Sequence, residues 1–288
     1  MKTGFFFPSR AVALLFAIVL SADLASGSGA LAGAQSASPW IDSSDSKVRL
    51  VSGTLEIDGK PTLVAGVQLR MAPGWKTYWR NPGDSGVPPH FDWSRSKNLK
   101  LAETLYPAPH RFADGGGTSI GYDGEVVFPV MITPEWEGEP IELNLAFAYG
   151  LCKDLCIPND VTLSLSVGEN SGKGDALLIE TFLARVPKPA AQGALPEIVG
   201  VEFNSNGEKP ALVVDARFPP AAIGTDFFID AGDRFIPVPV PLGPPEGGTQ
   251  RFAVTFASAA EAAAIKGKAL TLTLISDRGS TEATWKAE

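Results

Sequence analysis

The sequence predicts an all-β protein of two immunoglobulin-like β-sandwich domains joined by a short helix and a linker. Three observations carry this. Apolar residues recur at every second position along most of the chain, the spacing of strand residues that face one core. Turn-forming residues interrupt these runs at short intervals, and 30 Gly and 24 Pro in 288 residues suit many short strands better than helices. The length itself fits about two average domains once a leader is set aside.

Residues 1–34 read as a signal peptide. Lys2 and Arg10 give a positive start, residues 11–20 form an apolar run, and small residues follow, with cleavage expected after Ala34 or Ala25. That run is shorter than the about 20 residues a membrane span needs. The remainder is expected to be a soluble periplasmic protein, in a compartment where disulfides persist.

Residues 38–170 read as the first sandwich. Leu63, Ala65, Val67 and Leu69 alternate with their neighbours, as do Ile141, Leu143, Leu145, Phe147 and Tyr149, and again Val161, Leu163, Leu165 and Val167. The last two runs are expected to pair antiparallel, with the bend falling within residues 150–160. Turn signals stand at Asp58-Gly59, Asn81-Pro82-Gly83-Asp84, Gly115-Gly116-Gly117 and Asp123-Gly124. Residues 171–195 form the helix and linker: Leu178, Phe182 and Val186 are four apart beside Ile179 and Leu183, and Pro187 and Pro189 stop the helix. Residues 196–288 read as the second sandwich, from the alternations Leu212-Val214-Ala216-Phe218, Phe252-Val254-Phe256 and Leu270-Leu272-Leu274. Ser258 and Glu261 have capping-box spacing for a brief helix ended by Gly267. The proline-rich residues 237–245 suit an edge or an extended connection.

The inventory excludes most chemistries. With 24 Lys plus Arg against 32 Asp plus Glu, the net charge of -8 argues against nucleic acid as a partner. There is no phosphate loop and no HExxH motif, and Gly115-Gly116-Gly117 lacks the strand–turn–helix setting of a dinucleotide site. No cofactor is expected.

What remains is Cys152 and Cys156, within Tyr149-Gly150-Leu151-Cys152-Lys153-Asp154-Leu155-Cys156-Ile157-Pro158. Three residues separate them, unlike the two of a thioredoxin-type motif, and they fall between strand runs where no helix dipole acidifies a thiol. Three readings stay open. In a structural staple, the chain-entropy model credits so small a ring with about 2 kcal/mol, little beyond what the hairpin already holds. In an exchange site, an easily reduced small ring is an advantage. In a soft-metal site, two thiolates would hold Cu(I) with Met71, Met131, His90 or His110, none of which has ligand-like spacing from the pair. Lys153 would favour a thiolate and Asp154 oppose it. Trp75, Tyr78 and Trp79 read as core rings, or one of them lies beside the cysteine loop.

The stretch Gly74-Trp75-Lys76-Thr77-Tyr78-Trp79-Arg80-Asn81-Pro82-Gly83-Asp84-Ser85-Gly86 resembles a signature of the N-terminal periplasmic domain of the disulfide reductase DsbD and its ScsB-type relatives. Arg111-Phe112, Gly121-Tyr122 and residues 126–129 and 152–158 extend the resemblance over about residues 38–167. The second unit resembles the extra domain of the ScsB-like branch less distinctly. The resemblance implies a redox-active Cys152–Cys156 pair. Its electrons would come from a thioredoxin-like donor domain served by a membrane-embedded electron carrier, both supplied by partner proteins. They would pass to oxidised periplasmic thiol proteins, such as disulfide isomerases or proteins handling copper stress. It also implies Cys156 as the partner-facing sulfur and Cys152 as the resolving one. Asp114, Phe112, Tyr122, Tyr149 and Lys153 are the candidate modulators. Asp114 matches a family acid that discourages thiolate formation, or is an ordinary turn aspartate. One departure is plain: the family's aromatic-tipped cap loop is replaced here by Asp114-Gly115-Gly116-Gly117-Thr118, which leaves either Phe112 or Tyr122 to shield the pair or a more open site.

Overall fold

A computed structural model describes residues 1–4, 35–114, 117–168, 174–206 and 208–287, the side chain of Asp114 excepted. The expected signal peptide lies, beyond residue 4, outside the described residues.

Strand β1 (Ile41–Ser43) leads into β2 (Ser46–Ile57), which Asp58 and Gly59 turn straight back as β3 (Lys60–Met71). Both turn residues have positive φ, +52° and +71°, as a two-residue hairpin turn that follows the strand twist requires. Then come β4 (Lys76–Gly83), β5 (His90–Asp92), β6 (Leu99–Thr104), β7 (His110–Asp114), β8 (Gly117–Asp123), β9 (Glu125–Pro134), β10 (Ile141–Cys152) and β11 (Cys156–Val167). They form two sheets, in the orders β1-β2-β3-β9-β6 and β11-β10-β4-β8-β7, with β5 also on β10. The inward residues are those the period of two selects: Leu50, Val67, Leu69, Phe128, Leu143, Leu145, Phe147 and Leu163 are all buried in one core.

Helix α1 (Ala176–Leu183) packs on this core through Ala176, Ile179 and Phe182. The sequence pattern centres its buried face on Leu178, Phe182 and Val186, whereas the structure centres it on Ile179. The helix is only eight residues long, so its contact line runs at three-residue spacing and ends before Val186. Gly53 makes room for it, since a Cβ there would stand 2.8 Å from the backbone and Cβ of Ala176.

The second sandwich contains β12 (Lys188–Pro189), β13 (Glu197–Asn204), β14 (Ala211–Arg217), β15 (Asp226–Asp230), β16 (Val240–Pro241), β17 (Thr249–Thr255), α2 (Ala259–Ala263), β18 (Ala269–Ser276) and β19 (Gly279–Lys286). Its sheets run β12-β19-β18-β15 and β13-β14-β17-β16 around Leu212, Val214, Phe227, Phe252 and Leu272. Ser258 caps α2 by accepting from the Glu261 N–H at 3.2 Å. The proline-rich segment contributes only β16, at a sheet edge. The protein is thus all-β, two immunoglobulin-like sandwiches with a short helix between them. Among the described residues, no helix is long and apolar enough to cross a membrane.

The sandwiches meet at a joint that includes β15. On β15, Phe227 and Ile229 face their own core, and the pleat sends Phe228 the other way into the first core, 5.8 Å from Trp79. Arg111 on β7 clamps Asp226 with two hydrogen bonds, at 2.9 and 2.7 Å. Arg80 on β4 pairs with Asp230 at 3.2 Å and with Glu282, and Asn81 donates to the Ile229 carbonyl at 2.6 Å.

Candidate functional site

Strands β10 and β11 pair residue for residue from Ile141–Val167 to Cys152–Cys156. The cysteines form a disulfide across the last rung, with Cα atoms 4.1 Å apart. Only Lys153, Asp154 and Leu155 make the loop, and all three are exposed. The bend is therefore tighter than the sequence suggests, and Gly150 and Pro158 stand opposite each other inside the ladder. The reason is that apolar alternation runs on through Leu151, which is fully buried and holds the strand in register to its end.

Alternation also sorts the site by face. Tyr149 and Leu151 point into the core, so Gly150 and Cys152 lie on the opposite face of the sheet. The two cysteines differ in access: Cys152 is 8% exposed, and Cys156 is exposed to solvent.

Strand β4 lies against this tip. Lys76 is the ladder partner of Cys152, and the Thr77 hydroxyl donates to the Gly150 carbonyl at 2.8 Å. One residue on, the Tyr78 hydroxyl stands 3.1 Å from Cys156 Sγ. Its ring is buried and held between two glycines. A Cβ on Gly150 would come within 3.0 Å of the ring, and one on Gly86, whose φ is +121°, within 2.3 Å. Both glycines are thus demanded by close approach, and Gly86 also by its backbone conformation. The segment is fastened just before Gly86: Asp84 accepts from the Thr118 N–H at 2.8 Å and donates its own N–H to the Thr118 carbonyl at 2.9 Å. That ties it to the start of β8.

The candidate modulators divide by face. The Phe112 ring lies 5.3 Å from the Lys76 ammonium, one ladder rung from Cys152. Lys153 folds its stem over Gly74. Tyr122 and Tyr149 are not brought to the disulfide. Tyr122 donates to the Pro107 carbonyl at 2.8 Å, packs on Phe128, and burial pushes its phenol well above the ordinary value. Tyr149 stacks on Phe147 with its hydroxyl 2.8 Å from Ser46 Oγ; burial raises its pKa against hydrogen bonds to Ser46 and Ser43. The side chain of Asp114 lies outside the described residues. Met71 is buried in the first core and Met131 packs against it, while His90 and His110 sit in ladders opposite Ala148 and Gly121.

Sequence reasoning weighs Tyr78 only as one of three rings, and misses Asp84 and Gly86. The structure separates the three: Trp79 and Trp75 pack with the core, and Tyr78 reaches the sulfur. The available signal is an aromatic residue followed closely by a Gly-Asp-Ser-Gly stretch, since a ring that glycines cover is a ring held in place.

Chemically, the arrangement presents one sulfur to an incoming thiolate and shelters the other. A phenol faces the presented sulfur and can donate to it when it carries negative charge. Exposed Leu155 and Val87 add apolar surface beside it, with the Val87 carbonyl over Gly150.

Comparison with known proteins agrees with this geometry. Residues 55–167, which include both cysteines and Tyr78, match the family described as "Thiol:disulfide interchange protein DsbD, N-terminal". Among solved structures, the chain is similar to the N-terminal periplasmic domain of ScsB from Proteus mirabilis. The two share 22% sequence identity and a TM-score of 0.66, over 88% of this chain and 100% of that one. At this identity the likeness is one of fold. No curated protein matches the chain.

Proposed function

From the premise that residues 55–167 are a domain of the DsbD N-terminal family, we propose that this protein is a periplasmic thiol–disulfide exchange protein that relays electrons through Cys152 and Cys156. The observation that carries the reading is the asymmetry of the bridge: an exposed Cys156, its sulfur faced by the hydroxyl of a buried tyrosine, joined to a sheltered Cys152.

In the charging half, a thiolate of a thioredoxin-like donor domain attacks Cys156 Sγ, and Cys152 leaves as a thiolate. The donor's second thiolate then attacks the mixed disulfide, leaving the donor oxidised and this pair reduced by two electrons. In the delivering half, the Cys156 thiolate attacks a disulfide of an oxidised periplasmic thiol protein, whose departing sulfur takes up a proton. Cys152 attacks Cys156 Sγ, the internal bridge re-forms, and the partner leaves as a dithiol. The Tyr78 hydroxyl donates to Cys156 whenever that sulfur bears charge, which favours both its attack and its departure. The donor domain is recharged by a membrane-embedded electron carrier.

Covalent trapping tests this. A Cys152→Ser chain lacks the resolving sulfur and is expected to accumulate mixed disulfides through Cys156, released by reductant, when expressed in a periplasm. Cys156→Ser is expected to trap nothing. A folded Cys152→Ser protein that captures no partner would contradict the proposal.

A further inference from the structure

The ladder of β4 is interrupted directly after the residue that touches the sulfur. Its pairing with β8 runs from Lys76–Asp123 to Tyr78–Gly121 and resumes only at Gly83–Ser119. Trp79, Arg80, Asn81 and Pro82 therefore have no rung on β8 to fix them. The second sandwich supplies contacts for three of these four residues. Trp79 meets Phe228, which is fully buried, and Arg80 meets Asp230 and Glu282. Asn81 donates to the Ile229 carbonyl at 2.6 Å. The side chains of Arg80, Asp230 and Glu282 are each about a fifth to a quarter exposed, at 21%, 19% and 24%. These are ion pairs held in a partly desolvated joint, where fixed geometry counts for more than it does at an open surface.

We propose that the second sandwich is a positioning element for the redox site: by gripping residues 79–81 it holds Tyr78 against Cys156 Sγ. Arg80 and Phe228 are the positioning residues, acting through Tyr78 without touching the sulfur. The inference rests on the exchange chemistry proposed above, and it gives the second sandwich a role inside that chemistry in place of one as a tether. A strand without a sheet partner on one side tilts easily, and a small displacement of a catalytic contact costs a large factor in rate.

The test uses the full chain and needs no partner protein, so it can fail where trapping succeeds and succeed where trapping fails. The chain is first reduced, and the rate at which its Cys156 thiolate then attacks a small aromatic disulfide is measured for the parent, Phe228→Ala, Tyr78→Phe and the double variant. Asp230→Asn with Glu282→Gln serves as a milder release of Arg80 should Phe228→Ala not fold. Releasing the joint is expected to slow this attack by about tenfold, and Tyr78→Phe by a similar factor. The double variant is expected to be no slower than Tyr78→Phe alone, because both changes remove the same contact. A folded release variant that reacts at the parent rate would overturn the proposal, as would slowing that multiplies undiminished in the Tyr78→Phe background.

Discussion

Each sandwich contains a long antiparallel hairpin, and the two hairpins close differently. In the second, β18 and β19 pair from Ala269–Lys286 to Ser276–Gly279 and turn through Asp277 and Arg278. Oxygen and nitrogen suffice there. Ser276 Oγ donates to the Gly279 carbonyl at 3.0 Å, and Asp277 exchanges two hydrogen bonds with Ile223, at 3.0 and 2.8 Å. In the first, β10 and β11 pair over a longer ladder and then carry a disulfide across the last rung. A hairpin of this kind does not need sulfur to stay shut. The comparison teaches that a hairpin tip can close on hydrogen bonds alone, whereas the exposed Cys156 and the phenol facing its sulfur have no counterpart at the other tip.

The largest effect separates the tips by activity. Cys156→Ser is expected to abolish disulfide exchange with a model dithiol, and Ser276→Ala to leave it unchanged. The double replacement Cys152→Ser with Cys156→Ser is expected to cost no more than about 2 kcal/mol in urea unfolding. A loss well above that would turn the bridge back into a structural staple and break the comparison.

The next largest concerns the joint. Phe228→Ala removes a fully buried ring shared between two cores and is expected to destabilise the chain by about 3–5 kcal/mol. Urea unfolding measures it. A loss below about 1 kcal/mol would mean that the sandwiches do not share a core at this point.

The smallest sharpens the difference by pH. All 4 tyrosines lie between residues 78 and 149, none in the second sandwich. Burial pushes the Tyr106 phenol up to about 12, against the pull of Arg80. A raised value for an acid means that the folded state prefers the neutral form. Its contribution is complete below the ordinary value of 10.0 and is lost as pH climbs from there through about 12. Such a rise corresponds to roughly 2–3 kcal/mol. Tyr106→Phe is expected to flatten the stability profile over that range. An unchanged profile would place the alkaline loss elsewhere.

Much of the fold was legible because period-two alternation is a local signal. The series Ile141 to Tyr149 marks β10, and it already assigns Tyr149 to the core, at odds with its nomination as a modulator. Ser258 with Glu261 marks α2 because capping needs only neighbours in sequence. The cysteine pair was equally plain from its spacing and rarity. What sequence did not disclose depends on contacts between distant segments. Tyr78 reaches Cys156 only because β4 lies beside the β10 tip and Gly86 folds over the ring. Asp84 reads as a turn residue, and its partner Thr118 is 34 residues away. Phe228 stands in an unbroken apolar run with Phe227 and Ile229, and only the structure shows that its side of the strand enters the other domain's core.

The reduction potential of the Cys152–Cys156 couple, equilibrated in the full chain against glutathione, bears most directly on whether this bridge carries electrons. A value above about -300 mV, within reach of periplasmic thiol partners, is the predicted result. A value well below that, in the range of structural disulfides, would contradict the account.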